Sequence, residues 1–228
     1  SVQKEQGMAE QAVPTGYDDN KPAFVRVALA QTNPVRHALT NSQRLCGLIH
    51  AHADAAVLIA PELSITGLPT YQPHELAIGP QDPSLAAIAQ ACADTRTAFI
   101  GGYIESASGQ LHNSMVVIDS SGTVIANYRK THLYSIENGA FVPGDELQVV
   151  EVAGIRVGLM ICFDLEFPEV ARCLTLMGAE VLVAIAANMD PLYNDQLVAS
   201  QARALDNRVP LIYVNRVGIE DAVRYNGG

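Results

Sequence analysis

"GLMICFDLEFPE", residues 158–169, is an apolar run that ends at Cys162 and is then broken by Phe163, Asp164, Glu166, Pro168 and Glu169. A cysteine used only for packing belongs inside an apolar run. One placed where a buried strand gives way to a polar turn is positioned for chemistry. "FPEVARCLTLMGA" then reads as a helix, with Pro168 in its first turn and Gly178 near its end. A helix starting just after Cys162 would add its positive N-terminus and the Phe163 backbone N–H beside the sulfur.

Strand–helix units of this kind recur outward from the stretch. "EVLVAIAANM", "DQLVASQARALDN" and "VPLIYVNRVG" read as strand, helix and last strand. Upstream, "FVRVALAQ" (24–31) is a strand, residues 36–53 have helical spacing, "AAVLIAPE" (55–62) is a buried strand and "PSLAAIAQACADTR" (83–96) a helix. Between them "TAFIGGYIES", "LHNSMVVIDS" and "TVIANYRK" form a meander joined by Gly and Ser turns, and "LQVVEVAG" pairs with "IRVGLMIC". Several strands are apolar on both faces, as in sheets covered on both sides. Two packed sheets with helices outside satisfy the pattern, giving an α/β (α+β) fold. A single doubly wound sheet is disfavoured, because residues 97–161 hold no helix for parallel crossovers. Residues 1–22 are polar, aperiodic and contain Pro and Gly, and read as a disordered or tag-like tail; residues 23–228 read as a single domain.

Composition excludes several function classes. The formal charge is −10, which repels phosphate backbones and argues against nucleic acid as a partner. The basic stretches "YRK" and "NRVP" are too short to form a patch. No run approaches the roughly 18 to 20 apolar residues of a membrane helix. The four cysteines, at 46, 92, 162 and 173, show no CxxC or zinc spacing, so reduced thiols in the cytoplasm are expected, with no metal. Cys46, Cys92 and Cys173 lie in helical apolar patterns and are expected to be inert core residues.

Three strands end in reactive residues: "LIAPE" at Glu62, "ANYRK" at Lys130 and "LMIC" at Cys162. Strand ends on one side of a sheet share an edge, so a carboxylate, an ammonium and a thiol can converge. A free thiol with a pKa of about 8.5 needs a base. Glu62 can take the proton and pass it to a leaving amine, and Lys130 can stabilise a tetrahedral oxyanion. Taken singly, Glu62 could cap a helix or turn, but the apolar run "AAVLIAP" argues for a buried position in need of a partner such as the lysine, and Lys130 alone would read as a solvated strand end. His132 offers a rival Cys–His pair, but is expected to be a structural hydrogen-bonding residue. Asp164 and Glu166 are expected to fix the turn after Cys162, and Glu169, Arg203 and Asn207 to form polar links beneath the site.

The segments "APELSITG", "YRKTHL" followed by "FVPGDE", and "GLMICFDLEFPE" resemble the three signature regions of the nitrilase superfamily, the carbon–nitrogen hydrolases. "RVALAQ", "HNSMVVIDSSG" and "ARALDNRVPLIYVNRVG" extend the resemblance over most of residues 24–218. It implies a four-layer α-β-β-α sandwich, nitrilase-like, with a Glu–Lys–Cys triad. Carried over, Glu62 matches the general base, Lys130 the oxyanion-stabilising lysine, Cys162 the nucleophile and Glu137 a second glutamate that orients the lysine. Phe163, Asn188 and Met189 are candidates to bind substrate. The family needs no cofactor, and commonly forms homodimers or higher homo-oligomers. Its members continue past "NRVG" with a further strand pair and a tail, so the chain, ending at "YNGG", reads as truncated at its C-terminus.

The implied reaction is hydrolysis of a small, aliphatic amide to acid and ammonia through a cysteine thioester. Within the family, a nitrilase or an N-carbamoyl amine amidohydrolase would use the same triad. Phe163 and Asp164 after the cysteine look more amidase-like, and the acidic turn disfavours a carboxylated carbamoyl substrate. From other classes, an inactive truncated subunit acting as a binding or scaffold protein predicts no selective labelling of Cys162. A thiol redox sensor predicts a reversible disulfide, disfavoured without a CxxC partner.

Overall fold

The computed structural model describes residues 24–68 and 73–228. The expected tail, residues 1–22, lies outside the described residues. Two sheets form the body. The first has the order β1 (Val27–Leu29), β2 (Val57–Ile59), β3 (Ala98–Ala107), β4 (Gln110–Ile118), β5 (Val124–Arg129). The second has β6 (Val149–Val152), β7 (Ile155–Ile161), β8 (Val181–Ala186), β9 (Leu211–Asn215).

Crossover helices make three strands of each sheet parallel. In the first sheet α1 (Ala38–Ala51) links β1 to β2 and α3 (Pro83–Thr95) links β2 to β3, while the short α2 (Pro73–Leu76) lies between. In the second, α4 (Pro168–Leu176) links β7 to β8 and α5 (Tyr193–Asn207) links β8 to β9. The remaining pairings, β3–β4, β4–β5 and β6–β7, are antiparallel, as expected of the helix-free meander. Local chemistry sets the helix starts. The Asp82 carboxylate accepts from Ser84 N at 2.8 Å with Pro83 following, and Pro168 opens α4.

Three apolar layers hold the elements. Ile59, Ile100, Met115 and Tyr128 of the first sheet face Leu159, Ile161, Val183 and Val214 of the second. Leu45, Ile49, Ile88 and Cys92 of α1 and α3 cover the outer face of the first sheet. Val170, Ala171 and Leu174 of α4 cover that of the second. The architecture is the expected α-β-β-α sandwich. No helix among the described residues is long and apolar enough to cross a membrane.

Four expectations change. The last strand does not run unbroken through Gly218: β9 stops at Asn215, and β10 (Val217–Glu220) pairs antiparallel with β11 (Val223–Asn226) as a separate hairpin. This hairpin begins within "NRVG", at Val217. Its turn residues Asp221 and Ala222 have φ of 48° and 66°, so this is a two-residue turn without the Asn-Gly signal that usually marks one. No α-helix starts just after Cys162. A 3-10 turn, Cys162–Glu166, intervenes before α4. Cys173 is exposed and Cys46 half-buried, whereas Cys92 is core as expected; all four cysteines are free.

Direction in the sheets places the site. β2 and β5 run the same way, so the residues after them emerge at one edge, and β4 begins there. β7, β8 and β9 also run together and end at one edge. Close backbone approaches fix these ends. A Cβ on Gly102 of β3 would lie 2.4 Å from Leu63 N and 2.7 Å from Glu62 Cα. A Cβ on Gly144 would lie 2.3 Å from Arg129 O, which explains the glycine of "PGD". Gly102→Ala is therefore expected to destabilise by about 1–3 kcal/mol, as overpacking does. Gly47→Ala, in α1 with open space around it, is expected to stabilise by about 0.5–1 kcal/mol. Urea unfolding midpoints of the two variants check this opposite pair of signs.

Candidate active site

Glu62 is the third residue after β2, Lys130 follows β5 directly, and Cys162 follows β7 directly. The strand ends converge as predicted. Lys130 Nζ donates to Glu62 Oε1 at 2.8 Å and to Glu137 Oε2 at 2.8 Å. Glu62 and Lys130 are 3% and 2% exposed, so these charges meet out of water. Glu62, Lys130, Glu137 and Cys162 line one cavity of about 180 Å³.

The carboxylate of Glu62 is held by three donors. Asn113 Nδ2 (2.7 Å) and Lys130 Nζ occupy Oε1, and the Ala187 backbone N–H, just past β8, occupies Oε2 at 2.7 Å. A carboxylate has about four lone-pair directions, so one on Oε2 is left to receive a proton. Glu137 is held in the same way, by Lys130, by Asn113 Nδ2 at 2.6 Å and by Tyr134 N at 2.7 Å. Burial works against the Lys130 ammonium, but the surrounding charges, Glu62 foremost, outweigh it and hold the pKa well above the ordinary lysine value. The lysine is thus a permanent cation. Two of its three N–H groups are taken, leaving one for a substrate oxygen.

Cys162 has φ of 45°, a left-handed conformation that a cysteine adopts at a cost. The kink turns the side chain out of the β7 line and into the cavity. Asp164 supports it. Its carboxylate, fully buried, accepts from Ile161 N (3.0 Å), Tyr128 OH (2.8 Å), Thr131 Oγ1 (2.9 Å) and His132 N (2.9 Å). One side chain thereby ties the nucleophile turn to the residues flanking Lys130. Burial pushes the Cys162 thiol well up, and the Glu62 charge adds to this; Lys130 and a hydrogen bond from Gln196 pull the other way. The sulfur therefore rests as a protonated thiol, and forming the thiolate requires a base.

The other expected residues sort clearly. His132 is structural: besides its bond to Asp164, its ring stacks on Phe167 with centroids 4.0 Å apart. Arg203 donates to the Leu165 and Glu166 carbonyls and Asn207 to the Arg203 carbonyl, forming the links beneath the site. Glu169 instead is exposed at the start of α4. Glu166 does not fix the turn; it is exposed and lines the cavity. Phe163, Asn188 and Met189 all line it, but Asn188 also builds the wall, with its N–H on Asn215 Oδ1 (2.8 Å) and its side chain on Leu192 O (3.1 Å).

Asn113, Gln196 and Tyr213 are additions to the sequence reading. Asn113 belongs to a polar triplet, "HNS", inside a buried strand, which is a readable anomaly. Gln196 shares a helix face with Ser200, Arg203 and Asn207, and Gln196, Ser200 and Asn207 are buried. A polar stripe at helical spacing turned inward was its signal. Among the described residues no group of three or more His, Cys, Asp or Glu is arranged to hold a metal ion.

Comparison with known proteins agrees with this geometry. A family profile described as carbon-nitrogen hydrolase matches residues 26–228. "Hydrolase in pqqF 5'region" of Pseudomonas protegens is 38% identical over 89% of this chain and 73% of its own length. An "(R)-stereoselective amidase" of Pseudomonas sp. is 35% identical over 82% of this chain and 69% of its own. Among solved structures, a mutant of the amidase from Nesterenkonia sp. AN1, carrying the acetamide moiety of fluoroacetamide on its active-site cysteine, aligns with a TM-score of 0.80. It is 26% identical, over 90% of this chain and 80% of that one. Profile, relatives and fold agree: the chain belongs to the carbon–nitrogen hydrolase family of the nitrilase superfamily, enzymes acting on non-peptide carbon–nitrogen bonds.

Proposed function

We propose that the protein hydrolyses short, neutral aliphatic amides to the carboxylic acid and ammonia through a thioester on Cys162. The observation that carries this reading is the Glu62–Lys130–Glu137 cluster opening on the same cavity as the Cys162 sulfur. The Cys162 sulfur attacks the amide carbon while its proton passes to Glu62. The carbonyl oxygen becomes an oxyanion, met by the third N–H of Lys130 and by the Phe163 N–H at the start of the turn. The C–N bond breaks, and Glu62 returns its proton to the nitrogen, releasing ammonia. Water then attacks the thioester and gives its proton to Glu62, and the C–S bond breaks as Cys162 regains a proton. The covalent cysteine adduct in the Nesterenkonia amidase and the amidase relative support the same chemistry here.

The cavity supports the substrate class. Its apolar lining includes Leu63, Leu68, Leu192 and Val223, and it has room for a short chain. Lys130 is already balanced by two carboxylates. The rim acids Glu220 and Asp221 are paired with Arg36, and Glu166 adds a further negative charge. Among the described lining residues no other cation is available to a substrate carboxylate. Neutral amides such as butyramide are accordingly expected to exceed succinamate in kcat/KM by on the order of tenfold or more, since like charges across a site are disfavoured. An ammonia-release assay on the pair checks this; preference for the acid would overturn the charge argument.

We further propose that the chain forms a homodimer through its outer helical layer. Leu176 and Met177 at the end of α4, and Val198 and Leu205 on α5, are large apolar side chains left exposed on the outer layer. Such a patch marks an association surface, and we assign it to a second copy of the chain. Val198→Asp with Leu205→Asp is expected to yield monomers in analytical ultracentrifugation; an unchanged sedimentation coefficient would remove the assignment.

Three variants test the roles. Cys162→Ala is expected to abolish turnover. Glu62→Gln retains the Oε1 contacts but sets its NH2 against the Ala187 N–H, and is expected to lower kcat by about 10²–10⁴-fold, the usual worth of a positioned base. Lys130→Met leaves two buried carboxylates sharing Asn113, and is expected to cost about 3–5 kcal/mol of stability as well as activity. Steady-state kinetics and urea unfolding give both readouts. Full turnover by Cys162→Ala would end the thioester reading.

A further inference from the structure

The sulfur of Cys162 has a neighbour beyond the acid and the lysine. Gln196, in the first turns of α5 and 2% exposed, places Nε2 at 3.3 Å from Cys162 Sγ and 3.4 Å from Glu166 Oε1. Its Oε1 accepts from Tyr213 OH at 2.9 Å. The orientation of the amide follows from both ends. The Glu166 carboxylate can only accept, so the NH2 end faces it and, with it, the neighbouring sulfur. Burial, and then the neighbouring Cys162 charge, push the Tyr213 phenol well up, so it stays protonated and donates to the oxygen end. A buried amide is costly unless its hydrogen bonds are made, and an apolar side chain would pack there without that cost. What the glutamine makes that a methionine or leucine could not is these three polar contacts.

We infer that Gln196, held by Tyr213, is a further catalytic residue: it keeps the Cys162 sulfur aimed into the cavity and stabilises it whenever it carries charge. The inference rests on reading Cys162 as the nucleophile. Gln196 transfers no proton. The S–H proton goes to Glu62 while the N–H of Gln196 stays on sulfur. That hydrogen bond strengthens as the sulfur becomes anionic, because charge-assisted bonds are roughly twice as strong as neutral ones. It weakens when the C–S bond forms and strengthens again when the thiolate departs from the thioester. Gln196 therefore acts at the two points where sulfur is charged, before attack and during release.

The sulfur's other titratable surroundings come from several elements. Glu62 and Lys130 face it from the first sheet, with Glu137 behind the lysine. Glu166 faces it from its own turn, Tyr213 from β9, and Glu220 and Asp221 from the β10–β11 hairpin across the cavity. Of these, Glu62 opposes ionisation of Cys162 and Lys130 favours it; Gln196 works with the lysine.

The test uses Gln196→Met, which keeps the length of the side chain and removes its N–H groups, and Tyr213→Phe, which keeps the amide and removes its anchor. The rate of Cys162 alkylation by iodoacetamide is followed by mass spectrometry across pH, alongside kcat and KM for butyramide. Gln196→Met is expected to slow alkylation at neutral pH about tenfold and to move the profile to higher pH, as loss of a hydrogen bond to a charged group should. Tyr213→Phe should shift it the same way by less. The value of kcat should fall about tenfold or more, with KM little changed and the unfolding midpoint retained. A Gln196→Met profile that superimposes on the wild type would overturn the inference. Labelling needs no turnover of an amide. A shifted profile in a protein that hydrolyses no amide would refute the amidase reading and leave this one standing; turnover with an unshifted profile would do the reverse.

Discussion

Lys130 must keep a positive charge where water does not reach it. Removing an ion from water costs several kcal/mol even after relaxation, and attraction repays that only when geometry is tight and every hydrogen bond is made. Much of the surrounding structure supplies that geometry. Asn113 of β4 clamps both glutamates with one amide. Ala187, from the second sheet, holds the far oxygen of Glu62, and Tyr134 N holds Glu137. The Lys130 backbone is itself pinned, its N–H on Asn113 O and its carbonyl on Gly144 N, each at 2.9 Å. The contacts come from both sheets and the loops between them, so the ion cluster and the packing register specify each other. A slip of one sheet against the other would strand a buried carboxylate, and the cost of that outcome narrows the fold to one arrangement.

The nucleophile is fixed by a second device of the same kind. Cys162 holds an unfavourable backbone angle, which persists only when its surroundings over-determine it. Asp164 provides that. It binds Ile161 immediately before the cysteine, and it binds Tyr128, Thr131 and His132 around the lysine. The thiol and the ammonium thus hang from one buried carboxylate. Asp164 fixes the backbone before the cysteine against the residues flanking the lysine, while Glu62 and Glu137 hold the long lysine side chain itself.

The sequence makes the parts of this arrangement legible to different degrees. The apolar runs of β2, β7 and β8 and the Gly-Ser turns of the meander have strong local signals, and the sandwich follows from them. Glu62, Lys130 and Cys162 stand out because each is polar where an apolar strand stops. Glu137 was reached only through resemblance, since nothing local separates it from an ordinary loop glutamate. The β10–β11 hairpin was obscured because its turn is Asp221-Ala222, an alanine forced to positive φ and held in place by the pairing of Arg36 with Glu220 and Asp221. Gln196 and Tyr213 lay hidden for another reason: in isolation a helix glutamine reads as surface and a strand tyrosine as core. Their contact exists only in the distance between α5 and β9, which no local pattern encodes.

Charge conservation explains why such a site pairs a thiol with a glutamate and not with a histidine. The resting cluster of two carboxylates and one ammonium carries one net negative charge beside a neutral thiol. In the proposed reaction, when the proton moves from Cys162 to Glu62, that total does not change; the negative charge moves to sulfur. Attack passes it to the carbonyl oxygen, which Lys130 meets. Collapse returns it to Glu62 as the amine takes the proton. At no step does the buried region gain or lose a charge, so no step incurs a fresh desolvation penalty. A neutral histidine accepting the same proton would create a thiolate–imidazolium pair, adding two charges to a pocket that already has three. The raised thiol pKa is therefore consistent with catalysis. In the proposed reaction sulfur ionises only as its proton is handed to Glu62, with Lys130 and Gln196 placed to meet the charge as it moves.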